Sequence, residues 1–396
     1  MELPLGNLRI VELANVVAGP SVGTYLSDFG AQVVKVEHLR DGDPARGMGE
    51  AVGSSSAWWL VVGRNKRSVT LDLKHPRGRE ALLRLVERAD ALVESFRPGV
   101  LERLELAPET LLERNPKLVV VRVSGFGQNG PHKDRPGFGT LAEAYSAYAS
   151  LNGYAEGPPL LAPTAFADEI AGLFATWALL AALYARDTGG APGQVIDVSL
   201  FESLFSTLGP LPTLYRHNGY VQRRNGSRLP FSSPRNVYAT RDGAFYAVSA
   251  STPSAARTIL GLVGGAPLVE DPRFATPETR AQHADELDEI VAGWIKQRPA
   301  AEVDQAFEAA GVPGTRVLEI QDVFEDAHYR ARRTLTDVAD DELGTVTMQA
   351  PVPRMSATPG RIRHAGATLG RDTDTVLTEL GYSQDEIERL RAEGAW

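Results

Sequence analysis

Cysteine is absent from the 396-residue chain, which removes disulfides, thiolate nucleophiles and thiolate metal sites together. Histidine is sparse, at seven residues, and no His, Asp and Glu grouping has metal-ligand spacing, so no metal is expected. Positive charge is in deficit: 41 Lys and Arg against 50 Asp and Glu give a net charge of −9. That balance argues against general binding to nucleic acid or an anionic membrane. The most apolar run, Ile170 to Tyr184, has 15 residues, short for a membrane span. Met1-Glu2-Leu3-Pro4-Leu5-Gly6 shows no basic region followed by an apolar core, so no secretory signal is expected. No fixed-period repeat or low-complexity segment is present. The expectation is a soluble, cytoplasmic protein.

What is present reads as α/β. Leu8–Ala14 and Gln32–Glu37 have strand character and flank a helical stretch, Pro20–Phe29, that ends at Gly30. A strand, helix and strand in that order predict parallel pairing through a right-handed crossover. The theme repeats with Ser68–Leu73, Pro76–Ala89 and Ala91–Ser95, and Leu118–Val123 adds a Val-rich strand. Strand Gln194–Val198 and helix Leu200–Leu208 close a first domain, 1–213. Residues 214–235, rich in Arg, Asn, Gly, Ser and Pro, read as a linker. Asn236–Thr240 and Ala244–Ser249 around Arg241-Asp242-Gly243 form a hairpin signal. Helices at 252–264, 277–297 and 300–310 complete a small α+β domain, 236–330. Residues 331–396 carry strands, turns and a final helical stretch broken near Gly381, without a core of their own.

The chemistry centres on Pro163-Thr-Ala-Phe-Ala-Asp168-Glu169-Ile-Ala-Gly172. Two carboxylates stand at the mouth of an uncharged Ala- and Leu-rich helix, since no charge occurs between Glu169 and Arg186. Asp168 can cap that helix through its free N–H groups, or act as a carboxylate nucleophile on an activated acyl group. The residues alone leave both readings open. Gly125-Phe-Gly-Gln-Asn-Gly130 is a literal dinucleotide-binding motif after a strand, but Pro131-His-Lys-Asp-Arg-Pro136-Gly137 follows it in place of a helix. It reads instead as a Gly-rich loop beside a site. Gly139–Leu151 has helical spacing, and Glu143 lies close to its apolar side. Positive charge gathers early, at Arg64, Lys66, Arg67, Lys74, Arg97, Arg103, Lys133 and Arg135. This is either a solvated face or a pocket for phosphates.

Several motifs occur together and in order: Ala18-Gly19-Pro20, Leu26-Ser-Asp-Phe-Gly-Ala31, Val34-Lys-Val-Glu37 and Gly42-Asp-Pro-Ala-Arg46. Asn65-Lys-Arg-Ser68, Glu94-Ser-Phe-Arg-Pro-Gly99, Ser124-Gly-Phe-Gly127 and Gly193-Gln-Val-Ile-Asp-Val-Ser-Leu200 continue the series. With Pro163-x4-Asp168-x3-Gly172, this set resembles the class III CoA-transferases (the CaiB/BaiF-like carnitine and formyl-CoA transferases) across residues 9–204. Weaker similarity runs to the end of the chain.

The resemblance implies a Rossmann-like large domain with an open parallel sheet, a smaller α+β domain, and a homodimer of interlocked rings. It implies Asp168 as the catalytic nucleophile. Coenzyme A and acyl-CoA serve as substrate, with a small carboxylic acid as co-substrate and no permanently bound cofactor. The nucleotide would lie around Val16, Val17, Ala18, His38, Leu71, Lys74, Ser95, Phe96, Arg97 and Arg103, with Phe138, Gly139 and Glu143 as a possible substrate pocket. The chain departs from its relatives where His38 replaces Arg, Ser95 replaces Asn, Val17 replaces Gln and Gly139 replaces an acidic residue. No Gly-rich shielding loop occurs around Arg228–Pro234. The sister racemases of this fold use a His at the place of Phe138, and a phenyl ring cannot carry a proton. A racemase-like enzyme and a non-catalytic acyl-CoA-binding protein are the alternatives.

Overall fold

The computed structural model describes residues 3–340 and 342–396. Strands β1 (Arg9–Glu12), β2 (Gln32–Glu37), β3 (Arg67–Thr70), β4 (Ala91–Glu94), β5 (Val119–Ser124) and β6 (Gln194–Ser199) form one sheet. Its order is β3-β2-β1-β4-β5-β6, with every pair parallel. This is the doubly wound, Rossmann-like α/β arrangement, and the strand order reverses between β1 and β4.

Alternation along the strands sends side chains to two cores. Ile10, Val33, Val93, Val119 and Val121 join one core with α1 (Ala18–Asp28) and α4 (Phe166–Gly189). Val11, Val36, Leu92 and Val120 join the other, with α2 (Pro76–Glu87) and the C-terminal helices α9 (Thr373–Glu379) and α10 (Gln384–Ala392). The C-terminal break sits at Gly381, whose φ of +92° suits glycine. Two further helices, α3 (Gly139–Tyr145) and α5 (Leu200–Phe205), follow β5 and β6.

The chain divides into two compact units: residues 1–149, 161–216 and 333–396 in one, and 150–160 with 217–332 in the other. Residues 150–160 therefore group with the later segment, which sequence pattern gave no reason to expect. Helix Leu211–Asn218 occupies the start of the stretch read as a linker. The smaller unit has an antiparallel sheet of β7 (Arg235–Ala239), β8 (Phe245–Ser249) and β9 (Gly314–Arg316). Its core joins Tyr238, Tyr246 and Val248 to α6 (Pro253–Val269), α7 (Ala284–Lys296) and α8 (Ala300–Ala310). In the larger unit, β10 (Leu335–Asp340) pairs with β11 (Gly344–Gln349), and Val338, Val346 and Met348 pack with Leu60.

Helix α4 corrects two expectations. It starts at Phe166, so Asp168 and Glu169 lie inside its first turn rather than ahead of it, and no side chain caps its N-terminus. It is also longer than its apolar run, at 24 residues, and long and apolar enough by composition to cross a membrane. Here Ala167, Ala171, Ala175, Leu179 and Ala182 pack it into the core. It is buried on that side only: Leu173, Trp177, Leu180 and Tyr184, spaced along one face, stay exposed.

Candidate active site

In an open parallel sheet, the carboxyl ends of the strands flanking the order reversal form a crevice. Here those ends carry Asn15–Ala18 after β1 and Ser95–Arg97 after β4. The two turns are tied together: Asn15 N–H donates to Ser95 Oγ at 2.8 Å, and Ser95 Oγ donates back to Asn15 O at 3.3 Å. Gly19 lets α1 begin this close, since a Cβ there would fall 2.4 Å from Ala14 Cβ and 3.1 Å from Ser95 Cβ. Val17 is the N-cap residue of α1 and caps it with no side-chain bond, so first-turn N–H groups remain as donors.

Beside this crevice lies a cavity of about 240 Å³ lined by Asn15, His38, Leu71, Lys74, Phe96 and Leu104, among others. His38, Leu71, Lys74 and Phe96, far apart in sequence, thus meet in one place. His38, Lys74, Arg97 and Arg103 are exposed. Among the described residues Lys74, Arg97 and Arg103 make no ion pair, and His38 has a 3.5 Å contact to Asp41. Of these cations, Lys74 lines the cleft, with Glu37 and Asp72 also in its wall, while Arg97 and Arg103 adjoin the lining residues Phe96 and Leu104 in sequence.

The turn carrying Phe96 and Arg97 is braced from below. Glu94 accepts from Phe96 N–H at 2.7 Å and from Arg122 Nε at 2.7 Å, while Arg122 Nη1 reaches Glu102 Oε1 at 3.0 Å. Burial pushes the Glu94 carboxyl up to about 7, against the pull of Arg122.

Three members of the early basic cluster are not at the cleft. Lys66 is buried on Glu12 at 2.9 Å, and Arg64 on Asp28 at 2.7 Å. Arg67 begins β3 at the opposite edge of the sheet and pairs with Glu379 at 2.8 Å. Asp43, Glu12, Lys35 and Lys66 form a buried ion network that sequence reading missed. The available signal was a charge beside apolar neighbours in each strand, Glu12 after Ile10-Val11 in β1 and Lys35 between Val34 and Val36 in β2.

Asp168 occupies the first turn of α4, half-buried. Its carboxylate lies against the backbone of Gly139: a Cβ at 139 would sit 2.0 Å from Asp168 Oδ2. Among the described residues no side chain donates a hydrogen bond to it. Burial raises its carboxyl to about 6, with further upward pressure from Glu169 and Glu143. Glu143 is buried and accepts from Ala162 N–H at 2.8 Å. Glu169 turns away, accepting from Ser21 Oγ at 3.1 Å and from the Tyr25 hydroxyl on α1. Burial and the neighbouring Glu169 hold the Tyr25 phenol far above its usual range, so it remains a donor. Gly172 completes the motif sterically, because a Cβ there would meet Ser21 Cβ at 2.8 Å and Ala18 O at 3.0 Å. The motif thus combines a free carboxylate, an anchored one and a close helix crossing.

The Gly-rich loop runs as bends over residues 125–130 and a turn over 131–134, and the next helix opens at Gly139. The dinucleotide geometry is therefore absent. Gly125 instead crosses Gly137, where a Cβ on either would fall 2.5 Å from the other's Cα. Phe138 is 61% exposed at the N-cap of α3. His132 packs edge-on against Phe126 and Tyr145, with ring centroids 6.2 and 5.8 Å away.

Fold and site together define a doubly wound α/β protein with a largely apolar cleft bearing Lys74 beside the switch point and a partly buried carboxylate. The chain belongs to CoA-transferase family III, whose family model matches residues 5–373. It is 37% identical over 391 residues to succinyl-CoA–D-citramalate CoA-transferase of Chloroflexus aurantiacus, covering 98% of this chain and 97% of that protein. Succinate–glutarate CoA-transferase of Agrobacterium fabrum is 32% identical over 98% of this chain and 97% of its own length. The crystal structure of a CaiB/BaiF family protein from Brucella suis superposes with a TM-score of 0.84 at 29% identity, covering 96% of this chain and all of that one. The protein is accordingly a CoA-transferase, acting on CoA thioesters.

Proposed function

We propose that Asp168 is the nucleophile of this CoA-transferase and that the cleft at His38, Leu71, Lys74 and Phe96 holds the CoA nucleotide. The observation that carries the first claim is the state of the Asp168 carboxylate. Among the described residues it accepts no side-chain hydrogen bond, it is partly desolvated, and burial raises it to about 6. Near neutral pH it is mostly ionised, and it is less stabilised by solvent than a surface aspartate, as a carboxylate nucleophile requires.

An Asp168 oxygen attacks the thioester carbonyl carbon, the C–S bond breaks, and CoA leaves as thiolate, giving a mixed anhydride. The thiolate then attacks the Asp168 carbonyl carbon and expels the donor acid, leaving an aspartyl-CoA thioester. The acceptor carboxylate attacks that carbonyl, displacing thiolate and forming a second anhydride. Thiolate attack on the acceptor acyl carbon releases the new acyl-CoA and restores the carboxylate. Each step exchanges one activated acyl bond for another, so the cycle needs no external energy source. Water must be kept out, since anhydride and thioester both hydrolyse.

The cations Lys74, Arg97 and Arg103, with His38, would face the CoA phosphates, and Val16, Val17, Ala18 and Ser95 would line the crevice. Phe138, Gly139 and Glu143 would border the acyl group. The names of the relatives support dicarboxylic acids and their CoA esters as the substrate class. The exposed stripe Leu173, Trp177, Leu180 and Tyr184 supports a homodimer, consistent with interlocked rings. A cytoplasmic location goes with a CoA-ester substrate.

Turnover with an ¹⁸O-labelled acceptor acid tests the mechanism. One labelled oxygen should pass to Asp168 in each turnover, so the peptide that contains it should gain two mass units in the first turnover and up to four after many. An unlabelled Asp168 peptide after many turnovers contradicts the covalent route.

A further inference from the structure

Val16 is β-branched yet holds φ at +70°, in the left-handed region. For such a side chain this is an outlier that the surroundings must impose. One group in position to impose it is Asp43. Its Oδ1 accepts from Val16 N–H at 3.0 Å and from Ala45 N–H at 2.8 Å. Its Oδ2 lies 2.7 Å from Lys35 Nζ, with no exposure on either side chain.

The network reaches the loop at two more points. Lys35 Nζ donates to Ala14 O at 2.7 Å and to Glu12 Oε1 at 3.0 Å. Lys66 Nζ donates to Pro20 O at 2.7 Å and pairs with the same Glu12. Gly23 on α1 leaves the room that Glu12 needs, since a Cβ there would fall 2.0 Å from Glu12 Oε2. Thus Ala14 O, Val16 N–H and Pro20 O are each held by a buried charged group. A packed apolar cluster at this place would avoid the desolvation of four ions. It would also supply no directional hold on the loop.

We propose that Asp43 is a positioning residue. Through the Val16 amide, and braced by Lys35, it fixes the 15–18 turn in the conformation that receives acyl-CoA. The inference rests on the reading of this crevice as the CoA site. Its consequence is specific: Asp43 matters because residue 16 is not glycine.

The test compares wild type, Asp43→Asn, Val16→Gly and the double variant, each checked for folding by circular dichroism and thermal melting. Asp43→Asn should lower kcat/KM for acyl-CoA at least tenfold, by the same factor at low and high salt because the pair is buried. Val16→Gly in the Asp43→Asn background should recover at least fivefold of that loss, since glycine takes positive φ unaided. A folded Asp43→Asn protein with unchanged kcat/KM overturns the proposal, and so does a double variant no better than the single one. Should Asp43→Asn fail to fold, amide hydrogen exchange in the wild type decides. Strong protection at Val16 supports the hold, and exchange as fast as in an open loop overturns it. Lys74→Ala separates the two levels. If it leaves CoA affinity unchanged, the CoA-site reading fails; if it weakens CoA while Asp43→Asn has no effect, this inference alone fails.

Discussion

The Asp168 carboxylate rests where a side chain on Gly139 would stand, with Oδ2 2.0 Å from the position of a Cβ at that residue. The atom that would be struck is the far end of a flexible side chain, so the fold can yield by moving the carboxylate. Gly139→Ala should therefore disturb the reacting group more than the structure. Misplacement of a nucleophile by about 1 Å costs on the order of 100-fold in rate. The expectation is a kcat about 100-fold lower with little change in melting temperature. Unaltered kcat would show that the carboxylate works from another position.

As the proposed nucleophile, Asp168 should set the acid limb of the pH profile. Its attacking form is ionised, and its value is raised to about 6, first by burial and then by Glu169 and Glu143. Activity should fall tenfold per pH unit below that point, and Glu143→Gln should move the limb to lower pH by removing a negative neighbour. A rate independent of pH between 5 and 8 would be inconsistent with this assignment.

The same shift affects stability. The folded value, about 6, lies above the ordinary 3.8. The charged form therefore costs stability at all pH values above 6, and that cost fades as pH falls from 6 towards 3.8. Two units correspond to about 2–3 kcal/mol. Asp168→Asn should abolish transfer yet melt higher than wild type at pH 8, with the gain shrinking below pH 6. Equal melting temperatures at pH 8 would mean that the carboxylate is not desolvated.

Lys74, Arg97 and Arg103 are exposed and without ion pairs among the described residues. Replacing Lys74 or Arg103 by Ala should leave stability nearly unchanged. It should raise the KM for acyl-CoA by about threefold to tenfold, more at low ionic strength, where screening is weaker. Substitution at Gly172 should behave in the opposite way. Gly172→Ala forces a methyl group against Ser21 and Ala18 O, and overpacking of this kind costs about 1–3 kcal/mol. Its signature is a lower melting temperature.

Much of this architecture is legible in the sequence because it is written locally. Val-rich stretches such as Leu118–Val123 mark strands, and the loops after β1 and β4 mark the ligand edge without any knowledge of the third dimension. Asp168 stands out because a carboxylate pair beside an uncharged run is chemically conspicuous. Contacts between distant residues are not legible. Nothing near Gly139 in sequence announces Asp168, and Lys66 and Arg67, adjacent in the chain, point to a buried network and to the far edge of the sheet. Helix α4 misled for a related reason. Its apolar composition matched burial, while its outer face, with Trp177 and Tyr184, is open.

The central claim is a covalent intermediate on Asp168. Wild-type protein mixed with acyl-CoA without an acceptor acid, quenched within one turnover and digested, should yield a peptide containing Asp168 that carries CoA as a thioester. Hydroxylamine should convert that thioester to a hydroxamate on Asp168. The account predicts both species in the wild type and neither in Asp168→Asn. Transfer at a normal rate with an unmodified Asp168 peptide, or a CoA adduct on another residue, would contradict it.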